Sequence, residues 1–154
     1  EQFQGDYGYD QRGCGGKMTY HGSCLCGKIH YEVTGEFEQF FFCHCKSCRK
    51  DTGSAHAANL FSTTARLKWL KGEEEIQTYN HNNSGHIKSF CPVCSSALPN
   101  MQMNGTLLVV PAGSLDSDLK LLSAAHIYVS EKANWDYNLE KFPHYDELPA
   151  EQNS

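Results

Sequence analysis

Gln39-Phe40-Phe41-Phe42-Cys43-His44-Cys45-Lys46-Ser47-Cys48 is the stretch on which the reading of the fold turns, because an aromatic strand pattern runs straight into three closely spaced cysteines. In an extended chain residues i and i+2 point to the same side, so Cys43 and Cys45 aim both sulfurs at one point. Working outward, the same two-toothed clamp recurs as Cys24-Leu25-Cys26. Cys91-Pro92-Val93-Cys94 is the C-x-x-C knuckle, in which a tight turn brings two thiolates onto one tetrahedral ion at about 2.3 Å per bond. Disulfide frameworks spread their cysteines to staple distant segments, whereas here seven of eight sit two or three residues from another and no export signal is visible. Metal ligation is therefore the reading, with a disulfide framework as the alternative. The remaining thiol, Cys14, has no Cys or His close by and reads as incidental.

Seven ligands divide unevenly. The simplest partition gives the local triple Cys43, Cys45 and Cys48 one zinc and lets Cys24, Cys26, Cys91 and Cys94 share another, two ions per chain. A closed four-thiolate shell is saturated and structural, while three protein ligands leave the fourth position open to water or substrate. Three thiolates also weaken the pull of the ion on a water proton, so a soft incoming thiolate is the natural fourth ligand and thiol chemistry is favoured over hydrolysis. The partition Cys24/Cys26/Cys43/Cys45 with Cys48/Cys91/Cys94 satisfies the same count, although closing the triple through short loops costs less entropy. His44, between two clamping cysteines, should point away from the metal, as a surface or supporting histidine. No H-x-x-x-H pair exists to suggest a histidine-based zinc protease. Arg49, Lys50 and Arg66 are cations able to receive a carboxylate, though such side chains are usually just solvated.

The 154 residues suit one domain, and 40% apolar content with 8 Phe, 8 Tyr and 2 Trp is enough for a core. A net charge of −5 and no basic run longer than Arg49-Lys50 argue against a nucleic-acid partner. No apolar run approaches the roughly 20 residues of a membrane span, so a cytoplasmic, soluble protein is expected. Residues 1–17 are Gly-rich and aperiodic and read as a flexible N-terminal extension or cloning remnant. The single zinc-binding domain then occupies 18–150, opening at Met18.

The period-two alternation Ile29, Tyr31, Val33 predicts a half-buried strand ended by Thr34-Gly35. Further strands are predicted at Gln39–Cys43, Ala57–Phe61, Arg66–Leu70, Glu75–Tyr79, His86–Phe90, Ala97–Met103, Thr106–Val110 and Ala125–Val129. Asn104-Gly105 predicts a two-residue hairpin. Only Cys45–Thr52 reads as a helix, and the tail from Asn134, with Trp135, Tyr137, Phe142 and Tyr145, reads as an irregular strap over the sheets.

Gly22-Ser23-Cys24-Leu25-Cys26-Gly27 before a strand, Cys43-His44-Cys45-Lys46-Ser47-Cys48-Arg49-Lys50, and Phe90-Cys91-Pro92-Val93-Cys94 together resemble the glutathione-dependent formaldehyde-activating enzyme / centromere protein V family. The likeness extends to Gly113-Ser114-Leu115-Asp116, His126-Ile127-Tyr128-Val129 and Lys132-Ala133-Asn134-Trp135. It implies a mainly β fold, a β-tent of small antiparallel sheets around two zinc sites: a structural one on Cys24, Cys26, Cys91 and Cys94 and a second on Cys43, Cys45 and Cys48. It also implies a carbon–sulfur lyase that joins a glutathione-type thiol to a small aldehyde such as formaldehyde, with the three-cysteine zinc as the catalytic site. A non-catalytic zinc-binding or glutathione-carrier module of the same fold is the alternative, and a redox enzyme using Cys91 and Cys94 is a third. Two departures stand out: Ser95-Ser96 where the family commonly has Gly after its last C-x-x-C, and a small polar run, Asp51 to His56, after the triple.

Overall fold

The computed structural model describes residues 18–150, so the extension at 1–17 and Cys14 lie outside the described residues. Along the chain come β1 (Thr19–Ser23), β2 (His30–Thr34), β3 (Gln39–Cys43), α1 (Lys46–Thr52), β4 (Ala57–Ser62), β5 (Arg66–Lys71) and β6 (Gln77–Asn80). β7 (Ile87–Phe90), β8 (Ala97–Leu98), β9 (Asn100–Gln102), β10 (Leu107–Pro111) and β11 (Ala124–Ile127) complete the strands. They form three small sheets, ordered β1-β2-β5, β11-β3-β4-β10-β9 and β6-β7-β8.

Alternation decides which faces meet. Ile29, Tyr31 and Val33 are fully enclosed, and with Tyr20 they pack against Leu60, Leu108 and Val110 from one face of the five-stranded sheet. Burying each of the larger side chains contributes on the order of 1.5–3 kcal/mol. Gly22 pairs across the ladder with Tyr31, and a Cβ there would fall inside the tyrosine ring, so the first strand reaches its cysteine clamp only because that position is glycine. The opposite face of the five-stranded sheet, presenting Phe41, Phe61 and Val109, looks toward the β6-β7-β8 sheet and bounds a cavity.

Several expectations are modified for identifiable reasons. The predicted strand Ala97–Met103 breaks at Pro99, which has no N–H to donate; β8 pairs with β7 and β9 pairs with β10, so the proline marks the switch between sheets. The hairpin forms at the predicted place, but its loop is Met103–Thr106 with left-handed backbone at Met103, Asn104 and Gly105 (φ 50°, 55° and 81°), longer than the two-residue turn expected. Glu73–Glu75 form a single 3-10 turn, delaying the next strand to Gln77. Among the described residues the strand pairings are antiparallel except β11 with β3, where Ile127 stands opposite Cys43. The long connection from β10 is held against the first sheet, with Asp116 N donating to His21 O, and it delivers β11 to the far edge running alongside β3. The tail is irregular as expected, yet Trp135, Tyr137, Phe142 and Tyr145 are all more than half exposed, so it does not lie apolar side down. No helix among the described residues is long and apolar enough to cross a membrane.

Candidate metal centres and the cavity between the sheets

The three-sulfur group is built where a strand turns into a helix. Cys43 ends β3, Cys45 caps α1 in extended conformation, and Cys48 lies in the first helical turn, its N–H donating to Cys45 Sγ at 3.3 Å. The helix thus starts one residue later than predicted because Cys45 serves as its cap. The left-handed Gly53 (φ 65°) closes it, donating to Arg49 O. The three sulfurs lie within 4.8 Å of one another. Burial pushes both the Cys43 and the Cys48 thiol up, so each holds its proton at neutral pH unless a cation displaces it.

The four-sulfur group joins segments far apart in sequence. Cys24 and Cys26 follow β1, Cys91 and Cys94 follow β7, and their four sulfurs also lie within 4.8 Å of one another. Cys26 Sγ is 3.6 Å from Cys24 Sγ and 3.8 Å from Cys91 Sγ. Disulfide sulfurs would be about 2.05 Å apart, whereas thiolates around a tetrahedral zinc at about 2.3 Å per bond are about 3.8 Å apart. The donor set therefore fits zinc. All seven described cysteines are free, and neither the disulfide framework nor the mixed grouping of Cys24/Cys26/Cys43/Cys45 is adopted. Backbone N–H groups of Ile29 and Val93 donate to Cys24 and Cys91 Sγ. Ser96 stands 3.2 Å from Cys94 Sγ, and its hydroxyl chiefly holds that thiol down at about 5. Ser96 Oγ also accepts from Leu25 N at 2.9 Å, tying the two clamps together.

His44 does point away from the sulfurs, but it is buried rather than on the surface, at 3% exposure. Its Nε2 is 2.8 Å from His126 Nδ1 and its Nδ1 is 3.1 Å from Asp136 Oδ2. Burial first, then the neighbouring His56, keeps its pKa below the ordinary value against the pull of Asp136. Phe42 packs against both His56 and His126 on that same face. Of the candidate cations, Lys50 and Arg66 are exposed.

Cys43 and Cys48 border a cavity of about 390 Å³ between the five-stranded sheet and the β6-β7-β8 sheet. Asp51, three residues past Cys48 on α1, also borders it and binds Lys88 of β7 and His86 just before that strand: Oδ1 lies 2.8 Å from Lys88 Nζ and Oδ2 lies 2.9 Å from His86 Nε2. Lys88 Nζ donates also to Asp51 O. Sequence reasoning passed over this trio. The only signal for it was the i, i+2 spacing of His86 and Lys88 on one strand, which places both on one face without saying what they meet.

Comparison with known proteins follows the same outline. The sequence pattern of the family described as glutathione-dependent formaldehyde-activating enzyme matches residues 19–131, from β1 to just beyond β11. A crystal structure of a Rhodobacter sphaeroides protein superposes with a TM-score of 0.54 at 19% identity, covering 69% of this chain and 98% of that one, which is a likeness of fold.

Proposed function

Because the chain belongs to the glutathione-dependent formaldehyde-activating enzyme family, we propose that it is a zinc-dependent carbon–sulfur lyase joining a glutathione-type thiol to a small aldehyde. In this reading Cys24, Cys26, Cys91 and Cys94 hold a structural zinc, and Cys43, Cys45 and Cys48 hold a second. The observation that supports it most is that the group one sulfur short of a closed shell borders the cavity. Bound there, zinc supplies a soft centre with one open tetrahedral position suited to a thiolate.

The protein's own residues do the rest. The turn from β3 into α1 aims three sulfurs at one point, with Cys43 and Cys48 buried at the edge of the cavity. Asp51 clamps the helix to β7 and so sets the width of the cavity in which thiol and aldehyde meet. Orientation of two reactants is worth several kcal/mol even without a proton donor. In the addition, the sulfur lone pair forms the C–S bond, the carbonyl π pair moves to oxygen, and the thiol proton ends on that oxygen.

Exchange between glutathione, formaldehyde and their adduct, followed by NMR, tests the reading. Zinc-loaded protein is expected to accelerate the exchange, and Cys45→Ser to remain folded with one metal fewer and no acceleration. Equal exchange with and without protein would replace the enzyme by a carrier module of the same fold.

A further inference from the structure

The cavity is larger and more apolar than formaldehyde requires, and its charges are already used. We infer that the aldehyde carbon taken by this site carries an apolar chain or ring, which lies on Phe41 and Phe61 beside the Cys43/Cys48 end of the cavity. The inference deepens the thiol–aldehyde reading above and rests on it.

Three observations carry it. First, about 390 Å³ falls in the range of pockets that enclose an organic ligand, whereas formaldehyde adds a single carbon to the sulfur. Second, the floor comes from alternate positions on adjacent strands, Phe41 on β3, Phe61 on β4 and Val109 on β10, with Ile127 at the edge. The two phenyl rings are 5.7 Å apart at 56°, an arrangement that leaves ring surface open to the cavity. Phe41 and Phe61 are only partly buried and lie on the face of the sheet opposite the main core cluster, to which neither belongs.

Third, the charge balance excludes the obvious alternative. Glutathione bears two carboxylates, and a cavity built to hold them would present free cations. Among the described lining residues the groups able to carry positive charge are Lys88 and His86, and Asp51 binds both. At the far edge Gln102 Nε2 donates to Asn100 Oδ1 at 3.0 Å, so the polar side chains there are neutral amides and add no cation. The charged ends of the thiol therefore have no seat on this floor, and an uncharged substituent on the aldehyde carbon does.

Thioethers isolate the substituent. S-methylglutathione and S-hexylglutathione keep the same peptide and the same sulfur and differ in the chain that stands for the aldehyde substituent. Titration calorimetry on the zinc-loaded protein is expected to give S-hexylglutathione at least about tenfold tighter binding, since each buried methylene adds favourably. Its heat capacity of binding should be the more negative of the two, a comparison that needs no variant. Phe41→Ser and Phe61→Ser, each checked by circular dichroism, are expected to remove most of that gain while leaving S-methylglutathione nearly unchanged. Equal affinities and heat capacities for the two thioethers, or a hexyl gain untouched by both substitutions, would overturn the inference and leave the thiol reading standing. Failure of free glutathione to bind would overturn both.

Discussion

The two sulfur clusters use the same ligand chemistry in opposite mechanical settings. The four-sulfur group ties loops 65 residues apart in sequence, with Cys24 and Cys91 sunk into the margin of the main core. The three-sulfur group is closed within six residues of one strand-to-helix turn, and its small satellite of buried neighbours is Cys43, Cys48 and Ala57. Long-range closure constrains the whole chain, whereas local closure constrains one turn. The difference leads us to expect that the fold depends on the four-sulfur group and tolerates loss at the three-sulfur group.

Replacing one ligand in each cluster gives the largest contrast. Zinc in small domains contributes on the order of 10–16 kcal/mol of apparent folding free energy, comparable with the roughly 5–15 kcal/mol net stability of a domain. Cys94→Ser is expected to abolish cooperative thermal unfolding. Cys45→Ser should keep a cooperative melt and, on the proposed two-zinc reading, bind one zinc fewer by elemental analysis. Equal collapse of both variants would erase the distinction.

A glycine near each cluster sharpens the contrast at smaller scale. Gly22→Ala drives a methyl into the Tyr31 ring beneath the Cys24 clamp and is expected to cost about 3 kcal/mol, the upper range for an overpacked core. Gly53→Ala, in open space at the end of α1 with φ 65°, meets only backbone strain of about 1 kcal/mol. Denaturant midpoints at constant slope measure both. A milder Gly22 variant would show that the first sheet yields more readily than its packing indicates.

This asymmetry was partly legible in the sequence. Spacing alone grouped Cys43, Cys45 and Cys48, because three ligands within six residues leave the chain few ways to separate them. Pairing Cys24/Cys26 with Cys91/Cys94 was a matter of elimination, since nothing local tells a clamp which distant clamp it will face. Ile29, Tyr31 and Val33 announced their strand through period two, and all three are enclosed. The cavity was not legible. Phe41 and Phe61 read as ordinary strand aromatics, and only the register of β3 on β4, with β10 alongside, puts them on the face away from the core. The exposed aromatic tail failed for the converse reason, since composition says which residues favour burial but not whether the chain supplies a surface for them.

The Asp51 clamp offers a subtler way to separate the two regions, because it joins the helix of one cluster to the strand that leads into the other. Asp51 and its two partners are 17–25% exposed, so solvent weakens the ion pair without abolishing it. Asp51→Ala removes the carboxylate from both His86 and Lys88, leaving Lys88 only the backbone carbonyl of residue 51, and should cost about 1–2 kcal/mol. The double variant Asp51→Ala/Lys88→Met should recover part of that loss, giving a coupling energy of about 1 kcal/mol in a double-mutant cycle. Additive effects would mean that the clamp is incidental and that the helix is held by its sulfurs alone.

The smallest effect is expected at Ser95, where the chain departs from the glycine common in its family. Ser95 lies in the left-handed region (φ 63°) as it donates to Cys91 O and ends the knuckle. A side chain there is strained by roughly 1–2 kcal/mol, while glycine gives back roughly 0.4–1 kcal/mol through a freer unfolded chain. Ser95→Gly should thus raise the melting temperature slightly, by the equivalent of about 0.5 kcal/mol. Ser96 is the necessary control: its hydroxyl links Leu25 N to Cys94 Sγ across the two clamps, and Ser96→Ala should lower the melting temperature. Opposite signs at adjacent serines would separate relief of backbone strain from loss of the hydroxyl bridge. If both substitutions destabilise, the left-handed turn is held by contacts of the Ser95 side chain, and the knuckle does not need glycine for the reason its dihedral suggests.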